Sequence, residues 1–367
     1  MKITGAVLEQ VGRHRPYAGS GPVTISEIDL DPPGPGEVLV RIEAAGVCHS
    51  DLSVVDGNRP RPVPMLLGHE AAGVVERCGA GVDDLGTGQR VVLSFLPRCG
   101  ACAQCRTDGR LPCGPGSAAN SAGTLLTGGM RLHRNGERVF HHLGVSAFAD
   151  HAVVDRRSVT PVEEDIPPDV AALLGCAVLT GGGAVINAGR PRPGDDLIIV
   201  GLGGVGMAAL ITGLALGHGR VIGVDALPSK VERARELGAT EAYLTDRATQ
   251  AGIRAPIVIE AAGHPRAFET AVELTAPGGT TITVGLPAPT AESVIKPLGL
   301  TAEARTITGS YLGSAVPSRD IPRFAALWHQ GRLPVQELIS ARITLDEINT
   351  ALDRLADGTA VRQLIIF

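Results

Sequence analysis

The sequence predicts an α/β protein of two domains, a doubly wound parallel sheet and a β-rich, barrel-like domain that the chain enters first and revisits at its end. Three observations predict it. The β-branched run Leu197-Ile198-Ile199-Val200 leads through Gly201-Leu202-Gly203-Gly204-Val205-Gly206 into an apolar helix over residues 207–216, a strand, tight turn and helix in succession. Strands and helices alternate beyond that point, as a doubly wound sheet requires. Before it, short strands punctuated by Gly and Pro fill the chain to about residue 177. A length of 367 residues exceeds one ordinary core. The expected division is 1–177 for the β-rich domain, 178–310 for the parallel sheet and 311–367 for a return to the first domain.

Taken in order, the first seven residues form a short amphipathic strand rather than a targeting segment, which leads us to expect a cytoplasmic protein. Strands follow at 38–42, 72–76, 90–93 and 150–154. Residues 114–130 are small and uncharged, and predict a surface lobe with some mobility. Residues 197–217 make 21 positions without a charge, long enough to span a bilayer, but the glycine turn divides them into a strand and a helix. A helix over 228–237 closes at Gly238, and strands follow at 242–244, 257–260 and 281–284. Helices at 321–330 and 345–356 and a strand at 361–367 complete the chain. The net charge of -5 offers no basic field for nucleic acid, and no Lys/Arg run suggests a membrane surface.

Six of the seven cysteines fall into two groups. Cys99, Cys102, Cys105 and Cys113 bring four thiolates onto one short loop, the arrangement of a closed tetrahedral Zn2+ site. A disulfide pair is the alternative, although thiols three residues apart bridge poorly. Four thiolates leave no position for a substrate, so this zinc is expected to be structural. The second group is dispersed: Cys48 in Gly46-Val47-Cys48-His49-Ser50-Asp51, His69 in Gly68-His69-Glu70, and Cys176 after Leu174-Gly175. Two Cys and one His make one of the ligand sets of a catalytic zinc with an open position. Taken singly, a buried Cys or His is more often packing. Cys78 reads as core.

The glycine turn places backbone amides at a helix N-terminus, where they can hold a pyrophosphate. Alone the pattern is weak. It gains weight because Arg220-Val221-Ile222-Gly223-Val224-Asp225 is a second strand ending in an acid 19 residues beyond Gly206. A carboxylate there accepts from an adenosine ribose hydroxyl and repels a 2′-phosphate, so Asp225 favours NAD over NADP.

The motifs GVCHSDL, GHEAAG, the four-cysteine lobe, GCAVLTG and GLGGVG stand in an order that resembles the zinc-dependent alcohol dehydrogenases of the medium-chain dehydrogenase/reductase superfamily, over essentially the whole chain. The resemblance implies a Rossmann NAD-binding domain and a GroES-like catalytic domain. It implies two Zn2+ per subunit, a catalytic one on Cys48, His69 and Cys176 and a structural one on the four-cysteine lobe. Ser50 would begin a proton relay, His49 would contact the cofactor pyrophosphate, and Asp51 would orient His69. Glu70 would lie behind the zinc. Thr180 would line the nicotinamide site, Gly201, Gly203, Gly204, Val205 and Gly206 the pyrophosphate, Lys230 the adenosine ribose, and Arg362 would reach the pyrophosphate. The implied reaction is reversible hydride transfer between a primary or secondary alcohol and NAD. A thiol-dependent formaldehyde dehydrogenase and an NADH-dependent aldehyde reductase are the enzymatic alternatives, and a non-catalytic NAD binder is the third. A homodimer is implied, through edge strands for which 281–284 and 306–309 are candidates.

Three departures from the family pattern stand out. Ser53 occupies the position where many relatives end the relay in His. Gly181-Gly182-Gly183 lacks the usual bulky middle residue, which predicts a looser backbone. No basic residue follows the four-cysteine lobe between Gly114 and Met130, which argues against a glutathione-type substrate. Arg59, Phe95, Ala118, His142, Leu143 and Leu286 are candidate pocket residues. His133, His141, His151, His264 and His329 read as surface or core.

Overall fold

Strand alternation builds two apolar layers from the first strand onward. In Lys2–Leu8, Ile3 and Val7 join one buried cluster with Ile28, Leu66 and Leu132, while Ala6 and Leu8 join another with Val40, Val75 and Ile365. The computed structural model describes residues 1–217 and 219–367, which fall into two compact units. The first comprises Met1–Cys176, Val316–Ala325 and Ile339–Phe367, and the second Ala177–Ala315 and Ala326–Leu338.

Among the described residues, one sheet of the first unit runs in the order Glu137–Arg138, Leu132–Arg134, Val23–Leu30, Lys2–Leu8, Met65–Leu66, Phe140–His141. The other is organised around the long strand Glu37–Val47. One edge of that strand pairs with Ala71–Cys78. The other is shared by His151–Asp155 along its first half and by the C-terminal strand Arg362–Ile366 along its second, with Gln363 opposite Val47. That register brings Arg362 to the end of the strand that leads into Cys48. The helix Ile348–Ala356 closes this cluster with Ile348, Ala351, Leu352 and Leu355.

The segment 114–130 is more ordered than its composition predicts. It contains the helix Gly114–Ala122, in which the Cys113 sulfur accepts from the Gly116 amide at 3.4 Å and buried Asn120 donates to the Phe95 carbonyl at 2.7 Å. Leu125 is fully buried. Anchors at both ends of a run of small residues supply the order that hydrophobicity alone does not signal.

The second unit holds a parallel sheet in the order Glu241–Leu244, Val221–Asp225, Leu197–Val200, Ala255–Glu260, Thr275–Thr283, Thr306–Gly309 among the described residues. In sequence terms this is 3-2-1-4-5-6, a doubly wound sheet whose ligand crevice lies off the carboxyl ends where the order reverses, at Val200 and Glu260. The helix Gly204–Leu216 starts there. A Cβ on Gly206 would stand 1.8 Å from the Gly201 carbonyl oxygen, so only glycine lets the turn close onto the helix.

Three expectations change here. Residues 281–284 do not form an edge, because Thr275–Thr283 pairs on both sides; Thr306–Gly309 is the edge strand. The tail 311–367 does not return whole to the first unit. Residues 326–338 stay with the second, where Arg332 donates to the Ala215 carbonyl, Arg233 pairs with Glu337 at 2.9 Å, and Leu333, Val335 and Leu338 are buried. The glycine triplet is not loose either. It ends the buried helix Ala177–Gly183, and a Cβ on Gly181 would meet the Val205 carbonyl oxygen at 2.2 Å, so the residue is small because a neighbouring helix passes close by.

Candidate metal centre and cofactor site

Local structure explains how Cys48 is presented. It caps the helix His49–Val55: its backbone amide donates to Asp51 Oδ2 at 2.9 Å, and its side chain receives the first-turn amide, so the thiol sits at the positive end of the helix. Gly68-His69-Glu70 precedes the strand Ala71–Cys78, and Cys176 follows the helix Pro168–Leu174. The ligand atoms of Cys48, His69 and Cys176 lie within 4.8 Å of one another, all buried, with His69 Nε2 3.6 Å from the Cys176 sulfur. Asp51 Oδ1 is 3.0 Å from His69 Nδ1, an acceptor that places the hydrogen on Nδ1 and leaves Nε2 as the atom that could ligate a metal.

The electrostatics fit a cation. A hydrogen bond from Cys176 and the nearby Arg362 charge hold the Cys48 thiol well below its ordinary value, and the same pairing raises Cys176. Burial alone would lower His69, yet Asp51 and the Cys48 thiolate raise it well above its usual value. Two sulfurs and one imidazole nitrogen make a donor set that suits zinc.

The four-cysteine loop is also convergent. Cys99, Cys102, Cys105 and Cys113 offer sulfurs within 4.8 Å of one another, all four thiols are free, and the closest recorded pairs are 3.9 and 4.0 Å apart. No disulfide spans those distances. Backbone amides of Cys99 and Gly116 point at the Cys113 sulfur, and that of Cys105 at the Cys102 sulfur. Amides aimed at sulfur stabilise thiolates. Burial opposes it, but amide hydrogen bonds bring Cys102 down to about 6.

Around the first cluster, Glu70 is fully buried with its Oε2 3.5 Å from Arg362 Nη1, and Arg362 also approaches the Val47 carbonyl. Arg362 therefore lies beside Glu70, Cys48 and Cys176 in the first unit. Ser50 is half-buried in the first turn of the Cys48 helix, His49 is exposed, and the Ser53 hydroxyl donates back to the His49 carbonyl at 2.8 Å. Phe95 and His142 both meet the His69 ring edge-on, with centroids 5.4 Å away. The His142 ring also brings Nδ1 to 3.2 Å from Asp51 Oδ1, a role the sequence does not announce, since it has no partner at ligand spacing. The signal is topological: Phe140–His141 pairs with Met65–Leu66, which delivers His142 next to the chain leading to His69. Cys78 is half-buried at a strand end, its thiol directed at the Leu85 carbonyl.

In the second unit, Gly201, Gly203, Gly204, Val205 and Gly206 form the turn and first residues of the helix. Asp225 ends its strand with Oδ2 accepting the Leu202 amide at 2.6 Å and Oδ1 the Leu227 amide at 2.9 Å. The acid thus ties the glycine turn to the next loop. Lys230 is buried on the helix Pro228–Glu236, lowered by burial against the pull of Asp225. Thr180 lies buried in the helix Ala177–Gly183.

The alcohol dehydrogenase GroES-like domain family matches residues 34–164, and the zinc-binding dehydrogenase family matches residues 204–330. An NDMA-dependent alcohol dehydrogenase of Amycolatopsis methanolica is 34% identical over 386 residues, covering 100% of this chain and 99% of that protein. The chain belongs to the zinc-type medium-chain dehydrogenase/reductase family. This family member is also similar to a solved alcohol dehydrogenase zinc-binding domain protein from Burkholderia ambifaria, with TM-score 0.92 and 31% identity over 100% of this chain and 99% of that one. A benzyl alcohol dehydrogenase from Acinetobacter calcoaceticus superposes with TM-score 0.90 at 29% identity, over 100% and 99% of the two chains. Full-length kinship to alcohol dehydrogenases makes this dehydrogenase an alcohol oxidoreductase. No single helix among the described residues is long and apolar enough to cross a membrane.

Proposed function

We propose that this dehydrogenase transfers hydride reversibly between a primary or secondary alcohol, aliphatic or aromatic, and NAD, with one zinc on Cys48, His69 and Cys176 and a second on Cys99, Cys102, Cys105 and Cys113. The observation that carries the reading is the buried cluster of two sulfurs and one imidazole, backed by Asp51. When bound, the zinc supplies a Lewis acid that makes a hydroxyl more acidic, and the nicotinamide accepts the hydride. The chain's own residues do the rest. Asp51 fixes the tautomer of His69, and Ser50 is the hydroxyl that takes the alcohol's proton. The Ser53 hydroxyl is committed to a helix carbonyl, so proton exit runs through solvent at Ser50 and His49.

The amides following Gly203 would hold the pyrophosphate, and the Asp225 carboxylate would accept from a ribose hydroxyl and repel a 2′-phosphate. That supports NAD. Aromatic alcohols enter the reading because the Acinetobacter neighbour is a benzyl alcohol dehydrogenase. We also propose a homodimer, formed along the edge strand Thr306–Gly309, which follows a segment exposing Val294 (84%) and Leu298 (78%).

The test is reduced-cofactor formation by zinc-replete protein with ethanol, hexanol, benzyl alcohol, a secondary alcohol, and formaldehyde with and without a low-molecular-weight thiol. NAD and NADP are compared. Each assay is repeated with NDMA, because the Amycolatopsis relative is named for dependence on it. Turnover of free alcohols with NAD supports the proposal. Activity confined to formaldehyde plus thiol replaces it with the adduct enzyme.

A further inference from the structure

We propose that His142 is a positioning residue of the metal centre: it shares the Asp51 carboxylate with His69 and thereby fixes how His69 is presented to the metal. The inference rests on the catalytic-zinc reading above. Asp51 is fully buried, and a buried carboxylate persists only when donors surround it. Its Oδ2 accepts the Cys48 amide. Its Oδ1 faces two imidazoles, His69 Nδ1 at 3.0 Å and His142 Nδ1 at 3.2 Å, the second approaching less directly. His69 donates from Nδ1 because its Nε2 turns toward the Cys176 sulfur.

His142 is 1% exposed, and neither ring nitrogen meets a well-aligned hydrogen-bond partner among the described residues; the Asp51 carboxylate, 3.2 Å from Nδ1, is the charged acceptor beside it. An imidazole buried in that way costs stability that a Phe would not, unless its N–H serves the carboxylate. Donation from Nδ1 places a hydrogen on that nitrogen. The ring also stands perpendicular to His69, at 87° and 5.4 Å, while Phe95 stands in the same relation to it. His69 is thus bounded by two rings and the carboxylate. Removing the His142 N–H leaves His69 alone beside Oδ1 and lets the carboxylate turn, so the ligand loses its fixed direction.

The experiment follows zinc release from the full-length, zinc-replete protein to a chromogenic chelator, with His142→Phe and His142→Asn beside the wild type. His142→Phe is expected to release the catalytic zinc about tenfold faster, the four-cysteine zinc serving as an unchanged internal reference. His142→Asn, whose amide nitrogen falls where Nδ1 stands, restores slow release. In cobalt-substituted protein the visible bands of the Phe variant shift and those of the Asn variant return. Unchanged release and bands in the Phe variant overturn the proposal. So does a third zinc equivalent bound by the wild type and lost in that variant, which would make His142 a ligand. Independently of any variant, histidine-selective 1H–15N spectra of the wild type should show His142 protonated on Nδ1; protonation on Nε2 contradicts the proposal. A wild type that holds only one zinc overturns the catalytic-zinc reading and this proposal together, whereas two zincs with an indifferent Phe variant overturn this proposal alone.

Discussion

Cys48, His69 and Cys176 depend on one another for charge, so removing one disturbs more than its own bond to a metal. Cys48→Ala should reduce zinc from two equivalents per chain to one and abolish alcohol oxidation, read by metal analysis and cofactor reduction on the same sample. The Asp225 oxygens accept the Leu202 and Leu227 amides in addition to the ribose role proposed above. Asp225→Ala should therefore raise the NADP-to-NAD preference and also cost roughly 1–3 kcal/mol of stability, measured by denaturant unfolding. His141 supplies a pH prediction away from the metal. Burial holds it down at about 3, and its Nε2 accepts the Arg131 amide at 3.1 Å, so it stays neutral when folded. An unfolded histidine takes a proton below about 6.5, so this contribution is complete above that pH and declines as pH falls toward 3, by at most about 5 kcal/mol. Denaturation of wild type and His141→Gln from pH 7 to 4 should show a shallower slope in the variant. A parallel slope would contradict it. At this scale the clustering of the candidate ligands, the Asp51–His69 contact and the strand-end place of Asp225 were legible because short motifs carry them. His142 was not, since its relation to Asp51 depends on which strands pair.

Elements position these residues, and the strand-turn-helix at Leu197–Leu216 shows how tightly. Gly206→Ala would press a methyl group onto the Gly201 carbonyl, which should destabilise the protein by about 1–3 kcal/mol and weaken NAD binding, checked by thermal unfolding and cofactor titration. Wild-type behaviour in both would contradict the close approach. The four-cysteine loop is expected to act separately: Cys102→Ser should lose one zinc and lower the melting temperature while the zinc on Cys48 remains. Strand and helix identities were legible from alternation and from glycine and proline punctuation. The segment 114–130 misled because order there comes from Asn120 reaching the distant Phe95 carbonyl and from the Cys113 sulfur capping the helix. The glycine triplet misled for a related reason: small residues mark close packing as often as freedom, and only the path of the neighbouring helix decides which.

For the whole molecule, the two-domain plan and the order of motifs were readable along the chain, whereas the exchange of tail segments between the units was not. Residues 326–338 stay with the second unit through buried Leu333, Val335 and Leu338 together with the Arg233–Glu337 pair, contacts that pattern along the chain does not reveal. Assembly can be tested at this scale: the wild type should sediment as a dimer, and Val294→Lys combined with Leu298→Lys should shift it toward monomer. An unshifted dimer would place the interface elsewhere. The central claim, direct hydride transfer from an alcohol to NAD at a zinc centre built on Cys48, His69 and Cys176, is tested most directly by isotope transfer. Zinc-replete protein is given NAD and benzyl alcohol deuterated at the carbinol carbon, and the reduced cofactor is analysed by mass spectrometry. The account predicts one deuterium per reduced nicotinamide, and none formed by Cys48→Ala. Reduced cofactor without deuterium, or equal transfer by the Cys48→Ala protein, would contradict it.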